Sequence, residues 1–237
     1  MLTDKTIVII GGSSGIGYAA ARMAYASGAR VVIAGRSQEK LQAAAEAVGS
    51  GVRTFAVEIA NEASVAGLFS QLSHVDHLFI TASDVVLGPI LDTDSSRLQS
   101  TMDSRFWGSY YAAKHAAPRM RLGGSITFMS GTASQRPSPG GAVAAASGAA
   151  VESLGRTLAL ELAPIRVNTI SAGAVDTPLL DVFFGEQRAA VVENLTHTLP
   201  VRRMGAPEDV AEAALYLMSN AYTTGTVLSV DGGILLI

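Results

Sequence analysis

The sequence predicts an α/β protein built on a single doubly wound parallel sheet of about seven strands, with helices covering both faces. Short β-branched runs alternate along the chain with alanine-rich stretches of helical length, which is typical of βαβ units. Hydrophobic residues make up 49% of the 237 residues and charged residues only 16%. A parallel sheet buried on both faces accommodates this composition, because its strands are continuous apolar runs.

Seven strands and six helices are expected in alternation. The strands are predicted at residues 6–10, 30–34, 53–57, 77–81, 125–129, 166–171 and 226–230. The helices are predicted at residues 16–27, 38–48, 63–72, 96–120, 141–162 and 207–218. No linker, repeat or low-complexity tract interrupts this alternation, so we expect a single domain over residues 1–237.

The composition excludes several classes of function. The chain has 17 Lys and Arg against 20 Asp and Glu, and the net charge of −3 provides no basic face for a nucleic acid. It has no cysteine, which excludes disulfides and thiolate chemistry, and its four histidines are too scattered to suggest a metal site. No leader pattern precedes the first strand, and no apolar run approaches the roughly 18 residues of a membrane helix. We therefore expect a cytoplasmic protein without metal, membrane or nucleic-acid partners.

A glycine-rich loop follows the first predicted strand and opens the first predicted helix. Residues 11–17 have the pattern G-x-x-x-G-x-G, which is related to the dinucleotide fingerprint G-x-G-x-x-G. Glycines let the backbone approach a pyrophosphate, and a helix N-terminus favours its negative charge. The residues expected to contact a dinucleotide here are Gly11, Ser13, Ser14, Gly15, Ile16 and Gly17. The single domain is therefore predicted to be a dinucleotide-binding domain.

Two other kinds of site use similar loops. Gly11-x-Ser13-x-Gly15 also matches the nucleophile elbow of an α/β-hydrolase, with Ser13 as the nucleophile. That elbow needs an oxyanion loop upstream, and only ten residues precede this loop. A P-loop would need Gly-Lys followed by Ser or Thr, which is missing here. Both alternatives are disfavoured.

The end of the second predicted strand indicates which dinucleotide is bound. Gly35 stands where an NAD-binding domain usually has an acid that binds the ribose 2′-hydroxyl, and Arg36 and Ser37 follow it. An arginine at this place accommodates the 2′-phosphate of NADP(H). The sequence therefore predicts NADP(H) as the cofactor, with Arg36 and Ser37 among its contacts. The alternative is an Arg36 that is simply solvated at the start of a helix.

Taken in order, these motifs resemble those of the short-chain dehydrogenase/reductase family over essentially the whole chain. The family's T-G-x-x-x-G-x-G is matched with Ile10 in place of the threonine. Its other motifs correspond to residues 58–59, 80–83, 166–168, 172–173, 175–178, 224–225 and 231–233. The resemblance implies a Rossmann-like fold. It also implies further cofactor contacts by Glu58, Ile59, Ala82, Ser83, Gly173, Val175 and Thr177, the last toward the nicotinamide amide.

The catalytic positions of the family do not match. Its tetrad consists of a Y-x-x-x-K motif, a serine and an asparagine, and the tyrosine protonates the substrate carbonyl. An ungapped match places Ala144 at the tyrosine, Gly148 at the lysine, Gly131 with its neighbour Ser130 at the serine, and Arg105 at the asparagine. A positioned general acid accelerates a reaction by about 10²–10⁴, so we expect carbonyl reduction by the usual family mechanism to be much slower in this protein. The catalytic residues stay unknown, with Arg105 and Ser130 as candidates.

Each candidate has a structural alternative. Arg105 is a permanent cation that could polarise a carbonyl, or could form a salt bridge in the space left by the missing tyrosine and lysine. Ser130 could donate a hydrogen bond if the strand end shifts slightly. Other charged side chains fall on predicted loops or in residues 177–200 and cannot be placed from sequence: Asp84, Arg136, Asp181, Glu186 and His197.

The sequence therefore predicts an NADP(H)-dependent oxidoreductase with a non-standard active site, acting by hydride transfer on a small organic carbonyl, imine or enone. The alternative is a catalytically inactive NADP(H)-binding protein that serves as a sensor or partner subunit. Residues 177–200 follow the carboxyl end of the sixth strand, so we expect them to form a lid over the substrate. A homotetramer or homodimer is expected from the resemblance and from the apolar C-terminal residues.

Overall fold

One seven-stranded sheet organises the protein in the computed structural model, which describes residues 2–237 apart from the side chain of Val182. Neighbouring strands are parallel throughout, in the order β3-β2-β1-β4-β5-β6-β7. The strands are β1 Thr6–Ile10, β2 Arg30–Gly35, β3 Arg53–Ala56, β4 Val75–Ile80, β5 Met120–Gly131, β6 Arg166–Ala172 and β7 Val227–Val230. This arrangement confirms the predicted doubly wound parallel α/β fold.

Nine α-helices cover the two faces of the sheet in the described residues. They are α1 Gly15–Ala26, α2 Gln38–Val48, α3 Glu62–Ser70, α4 Ser95–Met102, α5 Gly108–Ala116, α6 Ala142–Glu161, α7 Pro178–Phe184, α8 Arg188–Thr198 and α9 Pro207–Ser219. Helices α1, α2 and α9 pack on one face of the sheet, and α3, α5 and α6 pack on the other.

The first strand shows why the sheet buries so much apolar side chain. Successive residues of a strand point to opposite faces. Ile7 and Ile9 accordingly enter the core beneath α1 and α9, whereas Val8 and Ile10 enter the core beneath α3 and α5. All four are fully buried, so the strand is apolar at every position rather than at alternate ones.

The helix predicted at residues 96–120 is interrupted and shorter than expected. A π-helical turn, Asp103–Trp107, separates α4 from α5, and a 3₁₀ turn, Ala117–Arg119, ends the helical segment. Pro118 lies in that last turn, and its ring prevents the helix from continuing. Strand β5 begins directly afterwards at Met120, so the predicted helix end was wrong and the predicted strand was too short.

The topology leaves a crevice at the carboxyl ends of the strands. Strand β1 lies between β2 and β4, and the chain turns to opposite sides of the sheet from this point. Ligands of open α/β sheets bind outside the carboxyl ends of the strands at such a switch point. Residues 177–200 fold as α7, a 3₁₀ turn at Gly185–Gln187 and α8, and they border the same crevice.

Candidate functional site

A single large cavity of about 1970 Å³ occupies the crevice at the carboxyl ends of the strands. The glycine loop between β1 and α1 lines it, and so do α7 and α8. The segments after β2, β3, β4, β5 and β6 also contribute side chains. The cavity is therefore continuous from the expected cofactor loop to the expected substrate lid.

The glycine loop packs so tightly that side chains cannot replace its glycines. A Cβ on Gly11, whose φ is +99°, would overlap the Oγ1 of Thr81, and a Cβ on Gly17 would overlap the carbonyl oxygen of Gly11. Ser14 is the N-cap of α1 but makes no side-chain capping bond, and the first turn carries no acid. The positive end of the α1 helix dipole is therefore not neutralised by its own cap or first turn. The loop can accommodate the negative charge of a pyrophosphate.

Two cations line the cavity beside this loop. Arg36 follows Gly35 at the end of β2, and Lys40 lies in the first turn of α2. The Nη1 of Arg36 lies 3.0 Å from the Oδ2 of Asp84, in the segment after β4. Ser37 does not line the cavity, because its hydroxyl accepts a hydrogen bond from the Lys40 amide and caps α2. Sequence reasoning missed Lys40, although a basic residue one helical turn beyond Arg36 was a usable signal.

The remaining residues predicted to contact a cofactor converge on the same cavity. Those that line it are Gly11, Ser13, Ser14, Gly15, Ile16, Gly17, Arg36, Glu58, Ile59, Ala82, Ser83, Gly173, Val175 and Thr177. Thr177, at the start of α7, would lie with its Cγ2 3.2 Å from a Cβ on Gly15. The segment after β6 therefore lies against the start of α1, although Gly15 and Thr177 are 162 residues apart in the sequence.

The predicted catalytic positions lie together at the far side of the cavity. Ala144 and Gly148 occupy one face of α6, and Ala144 is buried and lines the cavity. A Cβ on Gly148 would lie 3.6 Å from the Cβ of Ser134, 3.8 Å from the Cβ of Ser130 and 3.9 Å from the Nη1 of Arg105. The structure thus brings both candidates, Arg105 and Ser130, to the position expected for the lysine of the tetrad.

Arg105 is a partly buried cation in the π-helical turn. Its Nη1 donates a 3.3 Å hydrogen bond to the carbonyl oxygen of Ala144, and its Nε has no acceptor within the described residues. Burial lowers the pKa of the Arg105 guanidinium from its usual range to about 10, so it stays charged at neutral pH. No salt bridge to it is formed by residues 2–237, so the structural alternative of a salt bridge is wrong.

Ser130 belongs to a buried hydroxyl–carboxylate cluster that sequence reasoning missed. Its hydroxyl donates to the Oε1 of Glu152 at 2.8 Å, and the Ser134 hydroxyl reaches the same oxygen at 2.7 Å. Glu152 is only 8% exposed and lies one helical turn beyond Gly148 on α6. The four-residue spacing from Gly148 was the available signal, because it places Glu152 on the inward face of the helix.

The loop and lid residues that sequence could not place have separate positions. Arg136 lines the cavity, and its Nη1 donates to the carbonyl oxygen of Ile234 at 2.6 Å. Asp181 pairs with the Nε of Arg188 at 3.0 Å, which joins α7 to α8. Glu186 and His197 are exposed and do not line the cavity.

Residues 2–237 contain neither a cluster of metal-ligating side chains nor a helix suited to cross a membrane. Across residues 2–237, no three His, Asp or Glu side chains are grouped as metal ligands would be. In the same residues, no helix has both the length and the apolar character to cross a membrane.

Comparison with known proteins identifies the family. A family model described as Enoyl-(Acyl carrier protein) reductase matches residues 11–235. The short-chain dehydrogenase/reductase ucsE of Acremonium sp is 34% identical over 255 residues, covering 99% of this chain and 97% of that protein. The chain belongs to the short-chain dehydrogenase/reductase family.

Solved structures of this short-chain dehydrogenase/reductase family superpose closely on the protein. A small-chain dehydrogenase in complex with NADPH has a TM-score of 0.86 at 33% identity, covering 99% of this chain and all of its own. The MalC reductase/Diels–Alderase from Malbranchea aurantiaca has a TM-score of 0.92 at 32% identity, covering 100% of this chain and 98% of its own.

Proposed function

We propose that the protein is an NADP(H)-dependent oxidoreductase that reduces a small organic carbonyl, imine or enone by hydride transfer, using a non-standard active site. The observation that carries this proposal is the single cavity lined both by the glycine loop with Arg36 and by the Arg105 guanidinium. It places a cofactor cradle and a charged group in one continuous space.

The cofactor end of the cavity fits NADP(H). Residues 11–17 would hold the pyrophosphate at the α1 N-terminus, because their glycines leave no room for side chains. Arg36 and Lys40 would hold the 2′-phosphate, since no acid occupies the Gly35 position. When bound, the nicotinamide would supply the hydride. The similarity to a relative that was solved with NADPH supports this cofactor.

The reacting end of the cavity differs from that of a tyrosine-dependent reductase. Ala144 and Gly148 can neither donate a proton nor carry charge. Arg105 can donate hydrogen bonds to a carbonyl oxygen and stabilise negative charge that develops there, which contributes several kcal/mol in preorganised sites. This arrangement favours substrates that are already electrophilic, such as imines and enones, over unactivated ketones.

The substrate end of the cavity is mostly apolar. The large apolar side chains from α7 and α8 that line it are Leu179, Leu180, Phe183, Phe184, Val191 and Leu195, and α8 adds the polar Asn194 and Thr198. We infer that residues 177–200 act as a lid, and that the substrate has an apolar body in contact with these residues. Closing such a lid would exclude water from the reacting groups.

The alternative function is a catalytically inactive NADP(H)-binding protein, and the replaced tyrosine and lysine favour it. Single-turnover oxidation of NADPH against a panel of ketones, imines and enones separates the two functions. We expect stoichiometric oxidation of enzyme-bound NADPH with at least one imine or enone. Tight NADPH binding with no oxidation by any member of the panel would instead support the inactive binding protein.

A further inference from the structure

The space around Gly148 brings a cation and a hydroxyl to the same part of the cavity. The Nη1 of Arg105 and the Cβ of Ser130 each come within 4 Å of a Cβ placed on Gly148. Both residues line the cavity, although Gly148 itself does not. A ligand bound in the cavity can therefore contact both side chains.

The hydroxyl proton of Ser130 is already used in a hydrogen bond within the protein. A serine hydroxyl has one proton and two acceptor lone pairs. The Ser130 proton is directed to the Oε1 of Glu152 at 2.8 Å, and Glu152 does not line the cavity. A hydrogen bond to a carboxylate is about twice as strong as a bond between neutral groups. Ser130 therefore presents lone pairs, not a proton, to the cavity.

Glu152 has no competing cation within its reach. No Lys, Arg or His nitrogen of residues 2–237 lies within 4 Å of its carboxylate, and its partners are the hydroxyls of Ser130 and Ser134. Burial makes these two hydrogen bonds the main compensation for its lost hydration. Both hydroxyl protons thus point toward the Glu152 carboxylate rather than into the cavity.

Arg105 supplies hydrogen-bond donors, whereas Ser130 supplies an acceptor. A guanidinium only donates hydrogen bonds, and Arg105 lines the cavity although its Nε atom is itself buried. Its Nη1 makes one long bond, 3.3 Å, to the Ala144 carbonyl. Across Gly148, the cavity therefore offers donors from Arg105 and an acceptor from Ser130.

We propose that Glu152 is a positioning residue that fixes Ser130 as a hydrogen-bond acceptor, and that the site selects substrates with an O–H or N–H donor beside the oxygen held by Arg105. This inference rests on the proposed reductase function and narrows its substrate class to donor-bearing carbonyl compounds. A substrate without the donor leaves the lone pairs of Ser130 Oγ without a hydrogen-bond donor in a buried position, which reduces affinity by about tenfold or more.

The matched probes are α-hydroxyacetophenone and its methyl ether, in which a methyl group replaces the donor hydrogen. For each probe, kcat and KM are measured with NADPH, and Kd is measured by calorimetry on the NADP⁺-loaded protein. We expect wild type to favour the hydroxy ketone by about tenfold or more, mainly in KM and Kd. Equal values for both probes in wild type would overturn the inference.

Variants then test the part played by Glu152. Glu152→Leu frees the Ser130 proton to turn into the cavity, so the preference should fall to about twofold or less. Glu152→Gln keeps an acceptor oxygen and should restore the preference. Ser134→Ala is the control, because Ser134 contacts the same carboxylate oxygen without lining the cavity. A Glu152→Leu protein that keeps the full preference would contradict the role of Glu152.

Two further measurements distinguish failure of this inference from failure of the proposed reductase function. If circular dichroism shows that Glu152→Leu is unfolded, Ser130→Ala decides, and retention of the preference there would overturn the inference. If wild type binds the hydroxy ketone preferentially but oxidises no NADPH, the proposed function fails while the acceptor assignment stands. If wild type reduces both ketones without preference, the inference alone fails.

Discussion

Arg36 Nη1 lies 3.0 Å from Asp84 Oδ2, so a cation at the end of β2 is joined to the segment after β4 beside the glycine loop. Both side chains are substantially exposed, at 64% for Arg36 and 40% for Asp84. An exposed ion pair of this kind contributes only about 0–1 kcal/mol. A 2′-phosphate can therefore replace the carboxylate as the partner of Arg36 at small cost.

Removing the cation should abolish the preference for the phosphorylated cofactor. We expect Arg36→Ala to weaken NADPH binding by about tenfold or more and to leave NADH binding nearly unchanged, because only NADPH carries the 2′-phosphate. Fluorescence titration measures both affinities. Arg30→Ala is the matched control, since Arg30 begins the same strand, is exposed and pairs with Asp4. Equal NADPH and NADH affinities in wild type would be incompatible with the assignment.

Removing the Asp84 carboxylate, which competes for Arg36, should strengthen NADPH binding instead of weakening it. Asp84→Asn releases Arg36 without changing the size of the side chain, so NADPH should bind about two- to fivefold more tightly. NADH binding should not change in the same titration. Weaker NADPH binding in Asp84→Asn would mean that Asp84 positions Arg36 for the phosphate rather than competing with it.

Arg105 should affect turnover more than cofactor binding. We expect Arg105→Ala to lower kcat/KM by about tenfold or more, because it removes the cation that stabilises developing negative charge. NADPH affinity should change less than threefold. Arg97→Ala, an exposed arginine on α4, is the control for removal of a positive charge. An Arg105→Ala protein as active and as stable as wild type would contradict any role for this side chain.

Two glycines of α6 should respond oppositely to the same substitution. Gly148→Ala should raise Tm by about 1–4 °C, because its Cβ would have ordinary contacts of 3.6 Å or more and alanine favours the helix by about 0.5–1 kcal/mol. Gly155→Ala should lower Tm, because its Cβ would lie 2.7 Å from the Oγ1 of buried Thr169. Differential scanning calorimetry measures both. A lower Tm for Gly148→Ala would show that the space beside Arg105 is not open.

His77 should make the protein less stable in acid. Burial lowers the pKa of His77 from its usual 6.5 to about 4, and its Nδ1 lies 2.9 Å from the Ser125 Oγ. The unfolded chain therefore binds this proton below pH 6.5, whereas the folded protein does so only near pH 4. The stabilising contribution is complete above pH 6.5 and is lost as pH falls toward 4, a loss of about 3 kcal/mol.

Urea unfolding at pH 7.5 and pH 4.5 measures this effect of His77. The loss of unfolding free energy between the two pH values should be about 2–3 kcal/mol smaller in His77→Asn than in wild type. His197→Asn, which replaces an exposed histidine on α8, should show the wild-type loss. The same pH dependence in His77→Asn and wild type would rule out His77 as the source.

Local sequence patterns were sufficient for the sheet and for the position of the glycine loop. Ile7, Val8, Ile9 and Ile10 form an uninterrupted apolar run, which is typical of a strand that is buried on both faces. The glycine loop follows it directly, so its position at the carboxyl end of β1 comes from chain order alone. These features depend on neighbouring residues, and pattern reasoning is strongest there.

Features that depend on distant residues could not be predicted in this way. The spacing from Gly148 places Glu152 on the inward face of α6, but it does not indicate that Ser130, 22 residues earlier, donates a hydrogen bond to it. The Arg36–Asp84 pair likewise depends on how the segments after β2 and β4 meet in space. The π-helical turn adds a single residue to a helical period, which no amphipathic pattern resolves.

That turn makes the position of Arg105 sensitive to chain length rather than to residue type. A π turn is an α-helix with one additional residue, and each helical residue rotates the following side chains by about 100°. Deleting one residue within Asp103–Trp107 would restore an unbroken helix through α4 and α5 and turn the guanidinium away from Gly148. A three-nucleotide deletion is thus a sufficient evolutionary step to move the Arg105 charge out of the cavity without replacing any residue outside the turn.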